Sequence, residues 1–116
     1  MTASTEEIAR AFSGHRFDEA LPHLRDDVVW MLVGADDLTG KEAVSSACAG
    51  TAQYLAGATT EFRQFRTVVG QDSVVVDSIA DYTVAGEDTS TVASCDIFDF
   101  EDGKVASIRS YTVELT

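Results

Sequence analysis

Apolar residues near the N-terminus fall one helical turn apart, and those in the C-terminal half alternate as they do in strands. Ile8 and Phe12 follow Ser4 and Glu7, which have the spacing of a capping box, so a short amphipathic helix is expected and Gly14 ends it. In RFDEALPHL, Phe17, Ala20, Leu21 and Leu24 share one side of a second short helix, whose hydrogen bonding Pro22 keeps from being ideal. The two read as a helical hairpin. Residues 27–33, DVVWMLV, form a continuous apolar run with β-branched and aromatic members, too short for a helix, and predict the first strand. Past GADDLTG, Thr39 and Glu42 repeat the capping-box spacing. Val44, Ala47, Cys48, Thr51 and Leu55 then follow at helical intervals, predicting a longer third helix that ends near Gly57.

From residue 59 onward, β-branched and aromatic residues dominate, broken by turn signals at 70–72 (GQD), 86–88 (GED) and 101–103 (EDG). Four strands joined as a meander are expected. Helices segregated from a run of antiparallel strands make an α+β domain, with a curved sheet wrapped over the helices. One end of such a cone stays open and would leave an apolar pocket between helices and sheet. In SCDIFDFED, alternation puts Asp96, Phe98 and Phe100 on one face and Cys95, Ile97 and Asp99 on the other. Each face thus carries one carboxylate beside large apolar groups, which is costly unless that carboxylate is hydrogen-bonded or protonated. In VVVDSIADYTV, Asp77 and Asp81 share a face with Val75 and Ile79, opposite Val74, Val76, Ser78, Ala80 and Tyr82; the pattern alone turns both aspartates outward.

A chain of 116 residues suffices for one domain with a real core, and no linker or repeat divides it, so residues 1–116 read as a single domain. Lys and Arg total 8 against 20 Asp and Glu, and the resulting net charge of −12 argues against nucleic acid or an anionic membrane as partner. No apolar run reaches the eighteen or so residues of a spanning helix, and MTASTEEIARAF lacks the pattern of a secretory signal, so the expected location is the cytoplasm. Cys48 and Cys95 form no metal motif and are too few for a disulfide scaffold, which leaves two reduced thiols. No His or Cys spacing supports a metal site and no glycine-rich loop implies a phosphate-bearing cofactor, so no cofactor is expected.

Two stretches, VVWMLVGADDLTGKEAV and CDIFDFEDGKVASIRSY, together with the order of elements, resemble the nuclear-transport-factor-like superfamily, which includes ketosteroid isomerases and SnoaL-like polyketide cyclases. The resemblance covers essentially the whole chain. It implies a cone-shaped, cystatin-like fold: three N-terminal helices on a curved mixed or antiparallel sheet that encloses an apolar pocket. Aligned on IFDFEDGKVASIR, Asp96 takes the place of the acid that donates a hydrogen bond to the developing oxyanion in steroid isomerases. That implies a pocket-facing Asp96, with Phe98, Ile108, Ser110 and Thr112 beside it, and Arg109 and Tyr111 on the outer face that many members use for dimerisation. The isomerases' general base falls on Met31 and their catalytic tyrosine on Ile8, and neither residue can move a proton. The same resemblance turns Asp77 and Asp81 toward the cavity, against the alternation.

Asp96 is therefore the candidate acid, base or ligand hydrogen-bond partner, and a carboxylate paired with Arg or a backbone N–H is its alternative. Phe12, Trp30, Met31, Tyr54, Phe98, Ile108 and Ser110 are the candidate ligand contacts; for Trp30 simple core packing is an equal alternative. His15 and His23 read as surface residues. The expected function is a small protein that binds a hydrophobic molecule in the cone and acts on it by cofactor-independent acid–base chemistry, as isomerase, cyclase or hydrolase. The alternative is a non-catalytic ligand-binding or dimerisation module of the same fold. Ile97, Tyr111, Val113 and Leu115 make the outer sheet face apolar enough to expect a homodimer.

Overall fold

The computed structural model describes residues 3–115. Helix α1 (Thr5–Ser13) begins at Ser4, whose hydroxyl accepts from the Glu7 N–H at 3.1 Å while the Glu7 carboxylate accepts from the Ser4 N–H at 3.0 Å, the reciprocal bonds of a capping box. Helix α2 (Phe17–Ala20) lasts one turn and passes into a 3-10 turn (Leu21–His23) holding Pro22. Proline has no N–H to continue an α-helix, so Leu24, expected on the helix, opens strand β1 (Leu24–Leu32) instead. A two-residue strand, β2 (Leu38–Thr39), precedes α3 (Lys41–Ala56). The capping box expected at Thr39 and Glu42 does not form. Gly40, at φ 95°, is the N-cap and no side chain bonds to the helix end there.

Strands β3 (Ala58–Val69), β4 (Ser73–Val84), β5 (Ser90–Glu101) and β6 (Lys104–Glu114) form the expected meander. At the β5–β6 hairpin, Asp102 and Gly103 take φ of 52° and 80°, the paired left-handed conformations that match a two-residue turn to the strand twist. The sheet order is β2-β1-β6-β5-β4-β3. Strand β1 runs parallel to β6, and the other neighbours are antiparallel, so the sheet is mixed. That one parallel contact closes the fold, because it brings the N-terminal strand beside the C-terminal one and leaves the helices to cover a single face.

The covered face carries the core. Phe98, Ile108, Val105, Val74, Val76 and Val28 from the sheet meet Ile8 and Phe12 from α1 and Val44 and Cys48 from α3. Phe12 sits at its centre, edge-on to Phe17, Trp30 and Phe98 at centroid distances of 5.4, 5.1 and 5.7 Å. The C-terminal half of α3 is less engaged: beyond Cys48 its inward residues Thr51 and Leu55 are only half-buried. At that end the cone stands open. No helix among the described residues is long and apolar enough to cross a membrane.

Candidate functional site

Strand β5 runs across the concave face with Asp96 midway along it, opposite Val76 of β4 and Ser110 of β6. The alternation inside SCDIFDFED holds: Phe98 is fully buried beside Asp96, and Asp99 is exposed on the outer face, where it accepts from the Ser107 hydroxyl at 3.2 Å. The Asp96 carboxylate is half-buried and accepts twice, from Ser13 Oγ at 2.7 Å on Oδ2 and from Ser110 Oγ at 2.6 Å on Oδ1. Ser110 Oγ in turn accepts the Trp30 indole N–H at 2.8 Å. Indole only donates, so the Ser110 hydrogen is left to point at Asp96. The chain Trp30 to Ser110 to Asp96 therefore presents Asp96 as a hydrogen-bond acceptor, the reverse of the donor role implied by the steroid isomerases. Among the described residues no Arg or Lys pairs with it.

His15, expected at the surface, is half-buried over this same face. The cause lies in how α1 ends. The Arg16 N–H donates to Ala11 C=O at 2.8 Å and the His15 N–H to Phe12 C=O at 3.1 Å, the two bonds of a Schellman motif with His15 in the left-handed position. Its φ is 67°, a conformation glycine usually supplies and other residues adopt at a cost. The turn swings the imidazole inward, stacked on Phe62 at 5.7 Å and near Phe17 and Tyr82 at 5.8 and 6.0 Å. Burial pushes the His15 pKa below that of a free imidazole, and the nearby Asp96 charge opposes this in part. Burial, and then Asp96, push the Tyr82 phenol up. At neutral pH, the imidazole and the phenol are thus uncharged groups able to donate, beside a carboxylate able to accept.

Tyr82 also joins this cluster to the open end of the cone, where a cavity of about 270 Å³ is lined by Thr51, Tyr54 and Leu55 of α3 and by Tyr82, Ser90 and Val92 of the sheet. Tyr54 is 63% exposed, so it stands at the rim. Two other hollows are charged surface features away from Asp96. One of about 180 Å³ lies between α1 and α2 among Glu7, Arg10, Arg16 and Glu19, and one of about 510 Å³ lies at the other end of β5 among Arg25, Asp27, Glu101 and Lys104.

The remaining expected contacts divide. Trp30 pairs with Ile108 and Leu32 with Ser110, so these face inward, whereas Met31 pairs with Arg109 and faces outward, its sulfur 3.6 Å from an Arg109 nitrogen. Met31 is thus no ligand contact, because neighbouring strand positions point to opposite faces. Phe12, Phe98 and Ile108 are at most 3% exposed and belong to the packed floor beneath the site, not to an open wall. Ile8 lies in the same core. Thr112 is exposed near the mouth. Asp77 and Asp81 follow the alternation and lie on the outer face, against the resemblance: Asp77 accepts from Gln64 and Arg66 at 2.9 and 3.1 Å, and Asp81 from Arg63 and Thr91 at 2.7 Å each. Hydrogen bonds from Thr91 and Arg63 hold the Asp81 carboxyl below the usual range. Both aspartates are thereby spoken for on the outer face, and of these three aspartates Asp96 alone lies on the concave face.

The fold recurs in solved structures. An NTF2-like protein of unknown function from Cytophaga hutchinsonii superposes with a TM-score of 0.81 at 24% identity, over 91% of this chain and 93% of that one. An epoxide hydrolase of the LEH-like kind from M. tuberculosis gives 0.68 at 19% identity, over 93% and 78%. A provisionally named polyketide cyclase from Xanthomonas campestris gives 0.70 at 17%, over 90% and 83%. At these identities the likeness is one of fold. No curated protein matches the chain by sequence. The family model of the SnoaL-like domain matches residues 5–108, nearly the whole chain, and with the cone and its mixed sheet this makes the protein a member of the SnoaL-like family.

Proposed function

We propose that the protein takes a small, largely apolar carbonyl compound into the open end of the cone and that Asp96 acts on it as a general base, as in an isomerase or cyclase. One observation carries this reading: Asp96 is a half-buried carboxylate on the concave face, held by two serine hydroxyls, with no cationic partner among the described residues. A carboxylate oriented by hydroxyls and flanked by apolar surface is a positioned proton acceptor, and needs no cofactor to take a proton from a carbon acidified by a neighbouring carbonyl. The likeness to proteins named as polyketide cyclases supports such substrates. The cavity of about 270 Å³ at the mouth, lined by Tyr82 but not by Asp96 or His15, is just under the usual range for drug-sized ligands, about 300 Å³ and up, which favours a substrate of one or two rings that reaches past Tyr82 to Asp96.

The assay is exchange of the α-protons of 1-tetralone with D2O, followed by proton NMR. The wild type should accelerate exchange and Asp96→Asn should abolish it. Asparagine keeps the shape of the side chain, can accept from Ser110 and can donate to Ser13, so circular dichroism should show an unchanged fold. Equal exchange by the two proteins overturns the role given to Asp96. A second reading, a non-catalytic binding module, is favoured by one feature: Ser13 and Ser110 would also serve as purely structural partners of a half-buried carboxylate. On that reading the tetralone binds without exchange. We also propose that the protein is a homodimer through the outer sheet face, where Tyr111, Val113 and Leu115 are 43 to 59% exposed.

A further inference from the structure

His15 is costly to place and brings polar atoms that the fold does not pair. The left-handed position after α1 would suit glycine, yet it holds an imidazole at φ 67°. Non-glycine residues in such conformations persist where the surroundings enforce them, and they gather at functional sites. Among the described residues the ring makes stacking contacts with Phe62, Phe17 and Tyr82 and no side-chain hydrogen bond. No described side-chain nitrogen or oxygen is both sealed from solvent and unpaired, so the unpaired imidazole nitrogens are not sealed from solvent. The ionisable groups that face the ring are Asp96 from β5 and Tyr82 from β4, while β3 and α2 present Phe62 and Phe17.

We propose that the His15 imidazole N–H is the hydrogen-bond donor to the substrate carbonyl oxygen, opposite Asp96, with the apolar body of the substrate lying toward Tyr82 and the mouth of the cone. The inference rests on the reading of Asp96 as base and completes it. When Asp96 takes a proton from the α-carbon, the C–H electron pair moves into the carbon–carbon bond and the carbonyl π pair moves onto oxygen. The resulting enolate oxygen needs a donor already in place. A neutral imidazole supplies one without transferring its own proton, and return of the Asp96 proton to carbon regenerates the carboxylate. A protonated imidazole would instead pair with Asp96 and blunt the base. Activity should therefore fall as pH drops below about 6.5, through the depressed pKa of His15.

The test is the tetralone exchange assay applied to wild type, Asp96→Asn and His15→Gly. Glycine suits the backbone position but loses the ring's contacts with Phe62, Phe17 and Tyr82, so a purely structural role predicts a change in stability with unchanged exchange. The proposal predicts a folded His15→Gly protein whose kcat for exchange falls by about 100-fold with KM little changed, the usual loss on removing one such donor. It also predicts that the acid limb of the wild-type pH profile near His15's range disappears in the variant. Full exchange by His15→Gly, with exchange lost in Asp96→Asn, overturns the role of His15 and leaves Asp96 standing. Absence of exchange in the wild type overturns both. If His15→Gly is unstable, His15→Asn, which also tolerates the left-handed region, replaces it under the same criteria.

Discussion

At the scale of single residues, the site is a set of short polar contacts laid over an aromatic floor. Trp30 shows how the two are joined, since its ring packs on Phe12 while its N–H fixes the Ser110 hydroxyl. Replacing it with Phe keeps most of the packing and removes one hydrogen bond, so urea denaturation should show a loss of about 1 kcal/mol. Phe98, fully buried beneath Asp96, is a different case; Phe98→Ala should cost about 4 kcal/mol through lost contacts and the cavity left behind. His15 gives a pH signature. Its folded pKa lies below the unfolded value, so between the two the unfolded chain binds a proton that the folded chain does not. Stability should be complete above about pH 6.5 and decline as pH falls through the depressed pKa, and His15→Gly should lack that decline. The inward placement of His15 was hidden in the sequence because it follows from a turn, not from a periodic pattern. The signal was there in a histidine directly after Gly14, the C-cap, at the position where a helix-ending chain most often places its left-handed residue.

Elements were legible wherever their cause is local. The capping box at Ser4, the three turn signals between strands and the alternation along β4 and β5 all act over a few residues, and all are present. The box at Thr39 has the same spacing and fails because Gly40 turns the chain at φ 95° and itself becomes the N-cap. Ser4→Ala should thus cost about 1 kcal/mol, whereas Thr39→Ala should change stability far less; thermal melts of the two variants check the contrast. What the sequence did not show was non-local. The parallel contact between β1 and β6 decides which face of the first strand looks inward, and a register error of one residue exchanges Trp30 for Met31. The thiols follow from their elements as well. Burial in α3 pushes Cys48 up to about 12, and burial, with Asp77 and Asp96 adding to it, raises Cys95 on β5. Both should react slowly with a thiol reagent at pH 8 until the protein is unfolded.

For the whole molecule, the sheet divides labour between its faces. The concave side meets the helices and holds Asp96, Ser110, Trp30 and His15. The outer side carries the ion pairs of Asp77 with Arg66 and Asp81 with Arg63, together with exposed Tyr111 and Val113. If the outer face is the dimer contact, sedimentation should give a dimer at micromolar concentration and Val113→Arg should give a monomer, because a charge at that position would have to be buried without a partner. A crystal soaked with 2-naphthol, a planar mimic of an enol, tests most directly whether the concave face is the ligand site. The naphthol oxygen should lie within about 3 Å of Asp96 or His15, with its rings toward Tyr82 and Leu55. Naphthol bound only in the charged hollow between α1 and α2, or only on the outer sheet face, would contradict it.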